Sequence, residues 1–443
     1  MVVEGAGTPA FGPADVLIQN NRIARVGRRI ETVPDARVID GTGRWVLPGF
    51  VNMHGHLHHE RAGIPMPRDY VLKLWLAAGI TTVRDVGSDF ARTKAAREES
   101  AAGRIEAPRL FLYPHLSAAG TPREQDARVK KLKEDGADGI KLTDTPRDLL
   151  RAISASARAA GLPVAHHAGV AETNAWDDIE VGTRSIEHWY GIPDAALRDG
   201  VQRFPPGYNY ANETDRFRWA GRLWREADPG KLASVLDAMV KANVAWDPTL
   251  NIYEACRDLQ RAQNMPWFAR YLHPALAKFF QPNADYHGSF FFHWTTEDET
   301  YWKENYRIWM NALADFERRG GLITAGEDAG YIYQVYGFGF IRELELHQEA
   351  GFHPLAVVKH ATFNGAKALG RENELGRVRE GWRADLVVVN GNPLENFKIL
   401  YPHDSKIEWT IKDGIPYDGA TLRREAEALA AGAVRKHRGE TAK

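Results

Sequence analysis

The first part of the chain alternates apolar and polar positions, as a half-buried β-strand does. Residues 14–19 alternate, the Asn20-Asn21 pair favours a turn, and residues 22–27 alternate again. This pattern predicts a β-hairpin. Similar extended stretches recur only near the other end of the chain, at 384–389, at 407–411 and around Ile415. We therefore predict that strands from both termini pair in one small β domain, into which the rest of the chain is inserted.

Between these terminal segments, short apolar runs alternate with helical runs, which is typical of βα units and a parallel sheet. The strand candidates are 50–53, 81–86, 110–113, 139–142, 164–166, 184–187, 244–248 and 322–325. The helical candidates are 71–78, 90–102, 124–135, 147–160, 231–242 and 302–319. Eight such strands predict an α/β protein with a (β/α)8 TIM barrel, whose chemistry lies at the C-terminal ends of the strands. A doubly wound open sheet is the alternative, but it usually carries a glycine-rich phosphate turn, and none follows a strand here.

The same patterns divide the chain into domains. We predict a β-sandwich domain from residues 1–48 and 371–420, a barrel domain over 49–370, and a C-terminal helix or tail over 421–443. Two long connections interrupt the barrel at about 190–242 and 250–300. Their aromatic residues are Tyr208, Tyr210, Trp219, Trp224, Trp267, Phe268, Tyr271, Phe279, Phe280, Tyr286, Phe290, Phe291, Phe292 and Trp294. Long loops are usually functional or disordered, and aromatic content argues against disorder, so a lid over a bulky substrate and a subunit interface are both open.

Charge and cysteine content exclude several classes of protein. The 443 residues include 57 Lys and Arg against 58 Asp and Glu, so the chain lacks the basic character of a nucleic-acid-binding protein. Cys256 is the only cysteine, which excludes disulfide scaffolds and cysteine metal sites. No stretch approaches the ~20 apolar residues of a membrane helix, and no signal peptide is visible. We expect a cytoplasmic protein that binds neither nucleic acid nor membrane, although a secretory leader that had been removed would leave no trace here.

Two histidines end the first predicted barrel strand, in His54-Gly55-His56. Side chains two residues apart on a strand point to the same face, so both imidazoles can face the barrel mouth and share one metal ion. The motif alone is weak, because most of the 16 histidines should be ordinary surface or helix-end residues.

A lysine lies inside the fourth predicted strand, in Gly139-Ile140-Lys141-Leu142. Burial of a bare ammonium group is costly, so such a lysine is often a neutral amine. A neutral amine can react with CO2 to form a carbamate, which would bridge two metal ions. Lys141 could instead extend its head group into water or pair with Asp144.

Further side chains that can bind metal follow later strands. His166 and His167 follow the fifth strand, His188 ends the sixth, and Asp328 follows the eighth. Each alone has an ordinary explanation, such as a helix cap or a hydrogen-bonded core histidine. Together with the histidines of the first strand and the lysine of the fourth, they predict a metal centre at the barrel mouth.

Several segments carry a resemblance to a known family. Residues 46–56 look like its entry strand, 185–188 and 325–330 look like its sixth and eighth strand motifs, and 361–370, Gly376 and 381–386 look like its exit helix and return to the β domain. On these motifs the sequence resembles the amidohydrolase superfamily, in the subgroup with two metal ions bridged by a carboxylated lysine. Xaa-Pro dipeptidases and N-acyl amino acid hydrolases are members of this kind. The resemblance covers nearly the whole chain and is weakest across the aromatic insertions.

The resemblance implies a metal ligand at each of these positions. His54, His56 and Asp328 would hold the more buried ion, His167 and His188 the more exposed one, and carboxylated Lys141 would bridge the two. His167 is preferred to His166 because the family places its ligand directly before Ala, and because alternation turns only one of two adjacent side chains into the barrel. His58 and His59 match no ligand position. We expect two Zn2+ ions, although the ligands also suit Mn, Co or Fe.

The resemblance also implies hydrolysis of a carbon–nitrogen amide or peptide bond. A hydroxide shared by the metal ions would attack the carbonyl carbon, Asp328 would carry its proton to the leaving group, and Tyr190 would donate to the carbonyl oxygen. The aromatic insertions favour a bulky or aromatic dipeptide, N-acyl amino acid or aryl amide. Four arginines in candidate mouth loops could bind a substrate carboxylate, but spacing selects none of Arg61, Arg203, Arg216 and Arg222.

Other functions use related sites. The same two-metal chemistry would serve a cyclic amide, lactone or phosphotriester hydrolase. A deaminase-type relative has one metal ion and no carboxylated lysine, so Lys141 argues against it. A binding protein on a decayed barrel would have lost some ligand positions, and all are filled. We expect a homo-oligomer that acts on a small-molecule amide or peptide.

Overall fold

A computed structural model of the chain describes residues 1–31, 33–169, 173–209, 213–283 and 294–437. Its β-strands are β1 (Asp15–Gln19), β2 (Arg22–Gly27), β3 (Trp45–Pro48), β4 (Phe50–Gly55), β5 (Glu60–Arg61), β6 (Ile64–Pro65), β7 (Ile80–Asp85), β8 (Arg109–Leu112), β9 (Ile140–Thr143), β10 (Val164–His167), β11 (Ser185–Glu187), β12 (Ala245–Asp247), β13 (Leu386–Val389), β14 (Ile407–Lys412) and β15 (Ile415–Asp418). Five aromatic residues of the predicted insertions lie outside the described residues, namely Tyr210, Tyr286, Phe290, Phe291 and Phe292.

Helices occupy most of the connections between the barrel strands. They are α1 (Arg68–Ala77), α2 (Phe90–Ala101), α3 (Pro122–Glu134), α4 (Arg147–Ala159), α5 (Ala175–Val181), α6 (Glu213–Ala220), α7 (Leu223–Glu226), α8 (Pro229–Lys241), α9 (Glu254–Arg257), α10 (Leu259–Gln263), α11 (Phe268–Tyr271), α12 (Pro274–Phe279), α13 (Thr296–Arg318), α14 (Phe338–Glu349), α15 (Pro354–Lys359), α16 (Gly365–Ala368) and α17 (Gly419–His437). The predicted helical runs correspond to α1, α2, α3, α4, α8 and α13. Thr121 and Thr295 begin α3 and α13 with capping boxes, which satisfy the free amides of the first turn. Within the described ranges, no helix combines the length and the apolar character needed to cross a membrane.

The strands predicted for the barrel form two parallel sheets, in which consecutive strands are neighbours. One sheet has the order β4-β7-β8 and the other the order β12-β11-β10-β9. A parallel bridge between His115 and Lys141 connects the two sheets. Consecutive parallel strands joined by helices place all of their C-terminal ends at one edge, where a site can form.

The predicted eighth strand differs from its neighbours. Residues 322–325 form a single bridge, between Ile323 and Trp246, and no regular strand. The backbone hydrogen bonds of this segment go to the strands on its two sides. Thr324 N donates to Trp246 O on one side (3.0 Å), and Met53 N donates to Ala325 O on the other (2.9 Å). The segment therefore lies between β12 and β4, as an eighth barrel strand would.

Strands from the two termini pair in a separate sheet with the order β15-β14-β13-β3. The antiparallel β3–β13 pair joins Trp45–Pro48 to Leu386–Val389, which confirms that N- and C-terminal segments meet. The predicted hairpin is present as β1 and β2, with Asn20 at its turn in the left-handed region (φ 55°). The architecture is thus α/β with an additional β-sheet domain.

Aromatic side chains of the long connections pack inward in the described residues. Phe217, Trp224 and Trp302 are buried, and they surround Trp189 and Tyr253. The Trp302 ring stacks on Tyr253 with centroids 6.0 Å apart, and the Trp189 ring lies 5.8 Å from Trp302. This cluster adjoins the C-terminal end of β11, so it forms one wall beside the predicted site.

Candidate active site

Histidine and aspartate side chains meet beyond the ends of β4 and β11. His56 Nε2 lies 3.0 Å from Asp328 Oδ1, and the Nε2 atoms of His54 and His188 lie 3.7 and 3.8 Å from the same carboxylate. The rings of His54 and His188 are 4.8 Å apart between centroids. All of these side chains are buried. The structure therefore brings together predicted ligands from the first, sixth and eighth strand positions.

The outer nitrogens of two of these histidines have fixed partners. His54 Nδ1 lies 2.7 Å from Glu187 Oε2, and His188 Nδ1 lies 2.5 Å from Thr249 Oγ1. Such an outer partner fixes the tautomer and leaves Nε2 as the inward-facing ligand atom, as in known metal sites. Burial lowers the pKa of His54 to about 4 and the pKa of His188 well below its ordinary value, so both rings are neutral at pH 7, the form that binds metal.

A buried ion pair behind His54 was not found from the sequence. Arg84 Nη2 donates to both carboxylate oxygens of Glu187 (2.7 and 2.8 Å), and its Nε donates to Met53 O (2.5 Å). Burial raises the pKa of Glu187, but the Arg84 charge and other nearby cations outweigh it and hold that pKa well below its usual range. The available signal was a pair of charged residues, Arg84 and Asp85, inside the predicted strand 81–86, much as a charged residue inside a strand selected Lys141.

The hydrogen bonds around these side chains also show which carboxylates are better placed to bind a metal ion. His54, Glu187 and Asp247 lie close enough to share one, as do His54, His56 and Asp328. The Glu187 oxygens already accept hydrogen bonds from Arg84, however, and one of them also lies 2.7 Å from His54 Nδ1. The set with Asp328 is therefore the better metal site.

Lys141 lies on β9 with only 5% of its surface exposed. In the part of the chain that the structure describes, its Nζ has no hydrogen-bond partner. Asp144 instead accepts a hydrogen bond from Arg216 (2.7 Å), so neither exposure to water nor pairing with Asp144 accounts for this lysine. Burial lowers the pKa of Lys141, although Glu187 and Asp328 partly offset this, so less free energy is needed to reach the neutral amine than in an exposed lysine.

The adjacent histidines of β10 point in opposite directions. His166 Nδ1 is hydrogen-bonded to Asp178 Oδ1 of α5 (2.8 Å), outside the cluster. The His167 ring lies 4.5 Å from the His188 ring, between centroids, and therefore faces the site. This agrees with the choice of His167 from strand alternation.

Tyr190 lies beside His167 at the same strand mouth. Its ring is fully buried and stacks on His167 (4.9 Å) and on Trp189 (4.3 Å). Tyr253, which was not identified from the sequence, lies 6.0 Å from Tyr190 and 5.5 Å from His188 between ring centroids. Two phenol groups thus border the histidine cluster.

His58 is not one of the clustered ligands. Its Nδ1 lies 2.7 Å from the Tyr336 hydroxyl, and its Nε2 contacts the Arg61 guanidinium. The His58 ring stacks on His56 with centroids 5.2 Å apart. His58 therefore packs against the His56 ring and helps to hold it in place.

The backbone is strained at several residues of the candidate site that lie just beyond strand ends. His188 (φ 62°), Thr249 (φ 45°) and Asp328 (φ 44°) all lie in the left-handed region that non-glycine residues avoid. Each such residue costs of the order of 1–3 kcal/mol, and strain of this kind concentrates at functional sites. The strained positions coincide with the convergence point of the histidines and Asp328.

Comparison with known proteins shows which families and structures this chain resembles. Residues 311–415 match the amidohydrolase family. A dihydroorotase from Anaeromyxobacter dehalogenans is 30% identical over 177 residues, which cover 38% of this chain and 40% of that protein. The chain spans only 37% to 40% of the length of the dihydroorotases that head these matches.

Solved structures match over much more of the chain. A Xaa-Pro dipeptidase with bound methionine has a TM-score of 0.66 at 21% identity and covers 94% of this chain and 98% of its own. A bottromycin amidohydrolase has a TM-score of 0.70 at 20% identity and covers 98% of this chain and 88% of its own. At these identities the likeness is one of fold.

In fold, and over residues 311–415 also in sequence, the chain is similar to amidohydrolase-like hydrolytic enzymes. The comparisons confirm the resemblance to the amidohydrolase superfamily that the sequence motifs indicated, including its prolidase-like members. They also support the prediction of an enzyme that acts on carbon–nitrogen bonds.

Proposed function

We propose that this chain is a metal-dependent hydrolase that cleaves an amide or peptide carbon–nitrogen bond. The observation that carries the proposal is the geometry of the cluster, in which His54, His56 and His188 direct Nε2 toward Asp328. The buried Lys141 amine, which has no hydrogen-bond partner among the described residues, gives independent support. Neutral imidazoles, a carboxylate and a lysine carbamate form a ligand set suited to divalent ions.

The closed (β/α)8 barrel with a β-sandwich domain is part of the proposal. The two parallel sheets are joined at His115 and Lys141, and residues 322–325 hydrogen-bond to both β12 and β4. These contacts are those that closure of a barrel requires. The whole-chain likeness to the prolidase-like structures supports the same fold.

The donor set fits two metal ions, which we expect to be Zn2+. His54, His56 and Asp328 would hold one ion, His167 and His188 the other, and a carbamate on Lys141 would lie between them. When bound, the ions would activate a water molecule and polarise the substrate carbonyl. The outer hydrogen bonds of His54 and His188 keep their Nε2 atoms in place for this role.

Side chains of the protein would carry out the remaining catalytic steps. The Asp328 carboxylate faces three imidazoles and would accept a proton and pass it to the leaving nitrogen. The Tyr190 hydroxyl would donate to the carbonyl oxygen, since its ring packs on His167 at the cluster. The buried aromatic wall of Trp189 and Tyr253 would exclude water and accommodate a bulky substrate.

Hydrolysis of a cyclic amide is a second candidate. The match to dihydroorotases favours it, because those proteins act on a cyclic substrate by name. Both candidates use the same side chains, so only the substrate distinguishes them.

Activity of the metal-replete protein on a mixed panel tests the proposal. The panel would contain dipeptides, N-acyl amino acids, aryl amides and cyclic amides, with Asp328→Asn as the inactive comparison. We expect hydrolysis of open-chain amides by the parent, and a loss of ~10²–10⁴-fold in rate for Asp328→Asn with metal still bound. Near-parental turnover by Asp328→Asn would contradict the proton-transfer role, and cleavage of cyclic amides alone would favour the second candidate.

A further inference from the structure

The charge of Arg61 is not neutralised by a carboxylate, unlike that of the other candidate mouth arginines. Those arginines have acidic partners: Arg203 pairs with Asp199, Arg216 Nη1 lies 2.7 Å from Asp144 Oδ2, and Arg222 Nη2 lies 3.5 Å from Glu297 Oε1. Among the described residues, Arg61 contacts a backbone carbonyl, an imidazole and two aromatic rings, and no carboxylate lies within ion-pair distance of it. The structure therefore distinguishes Arg61 from the other three arginines, which sequence spacing could not do.

The Arg61 guanidinium is held rigidly by groups that leave its charge available. Its Nε donates to Gly330 O (3.1 Å), and another of its nitrogens contacts His58 Nε2. Its Cζ lies 4.8 Å from the Phe279 ring centroid and 4.5 Å from that of Tyr331. Aromatic faces stabilise a guanidinium without cancelling its charge, and preorganisation reduces the entropy lost on binding an anion.

Arg61 also lies at the rim of the histidine cluster. The Tyr331 ring that it covers is 5.4 Å from the His56 ring, and the His58 ring that it contacts stacks on His56. Gly330 makes this approach possible, because a Cβ at that position (φ 94°) would lie 2.5 Å from His58 Nδ1. The cation is thus fixed beside a candidate metal ligand, from the short strand β5 that follows β4.

A further positive charge lies close by. Lys278, at the surface on α12, donates from Nζ to the carbonyl of Ala62, the residue after Arg61 (2.9 Å). Two cations on one side of the cluster favour an anionic group on the substrate.

We propose that Arg61 binds a carboxylate of the substrate, so that the preferred substrates are dipeptides or N-acyl amino acids with a free carboxylate on the leaving amine. This inference rests on the proposed amide hydrolysis. A bidentate guanidinium–carboxylate contact gives both energy and orientation, and a site with a desolvated cation rejects an analogue that lacks the anion.

The test compares N-benzoyl-L-phenylalanine with N-benzoyl-2-phenylethylamine, which differs only by the missing carboxylate. We expect the parent to prefer the acid, and Arg61→Gln to lower kcat/KM for the acid by ~10–100-fold, mainly through KM, with little change for the amine. Arg61→Lys should recover part of the loss. Arg203→Gln, an exposed and paired arginine, is the matched control and should behave as the parent.

Several results would overturn the proposal. They are an equal loss for both substrates in Arg61→Gln, no preference of the parent for the acid, and loss of that preference in Arg216→Gln instead. If the metal-replete parent cleaves neither compound, the proposed function fails, and calorimetric titration with L-phenylalanine and 2-phenylethylamine then decides the role of Arg61. Weaker binding of L-phenylalanine alone in Arg61→Gln, by ~10-fold or more, supports the carboxylate site, and equal affinities refute it.

Discussion

Removal of the buried Arg84 charge should destabilise the protein strongly. Arg84 is 1% exposed, and its side chain donates to Glu187, Ser185 Oγ and Met53 O at 2.5 to 2.8 Å. A second buried carboxylate, that of Asp247, lies 3.8 Å from Arg84 Nη2. Arg84→Met keeps much of the side-chain volume but leaves both carboxylates without a cation.

The expected loss follows from this geometry. Breaking a buried ion pair by removing one partner costs about 3–5 kcal/mol, because the remaining charge stays buried and unpaired. The double variant Arg84→Met/Glu187→Gln removes one of those charges, so it should recover part of the loss. We expect a coupling energy of the order of 1–3 kcal/mol between the two positions.

Urea unfolding followed by tryptophan fluorescence at pH 7 measures these free energies. Arg151→Met is the matched control, since Arg151 pairs with Glu180 at the surface with both side chains more than half exposed. We expect little change in the control. A loss below ~1 kcal/mol for Arg84→Met, or additive effects in the double variant, would refute the view that this ion pair supports the site.

Two further variants test other features of the account. Burial raises the pKa of Asp194 from 3.8 to about 7, so its protonated form favours folding, and stability is lost as pH rises between those values. Asp194→Asn should therefore be stabilised relative to the parent at pH 8 but not at pH 4, and equal differences at both pH values in urea unfolding would argue against a buried neutral acid. Tyr190→Phe should lower kcat by ~10²-fold while the protein stays folded, because its ring stacking is retained. An unchanged kcat would rule out Tyr190 as the carbonyl donor.

Much of the candidate site could be predicted because the chemistry lies at strand ends. The C-terminal ends of parallel strands meet at one edge, so His54, His188 and Asp328 converge although they are far apart in sequence. Strand alternation favoured His167 over His166, and the two side chains do leave β10 on opposite faces, with the His167 ring beside His188. Pairing of the terminal strands was predictable for a similar reason, since extended segments occur only at the two ends outside the barrel.

Other features depend on contacts that no local pattern encodes. Arg84 and Glu187 are 103 positions apart, and only the folded structure shows that one neutralises the other. The eighth segment has the apolar composition of a strand, but in the described residues it forms an isolated bridge to β12 and no regular ladder, which composition does not reveal. Arg61 differs from the other candidate mouth arginines in having no acidic partner among the described residues, and only the folded structure shows which arginines are paired.

The central claim is that side chains from separate strands hold two metal ions bridged by a carboxylated lysine. Anomalous diffraction at the zinc edge from crystals of the zinc-loaded protein, grown with bicarbonate, tests this most directly. We expect one peak at His54, His56 and Asp328, a second at His167 and His188, and carbamate density on Lys141 Nζ between them. A single peak with an unmodified Lys141, or no peak at these residues, would contradict the account.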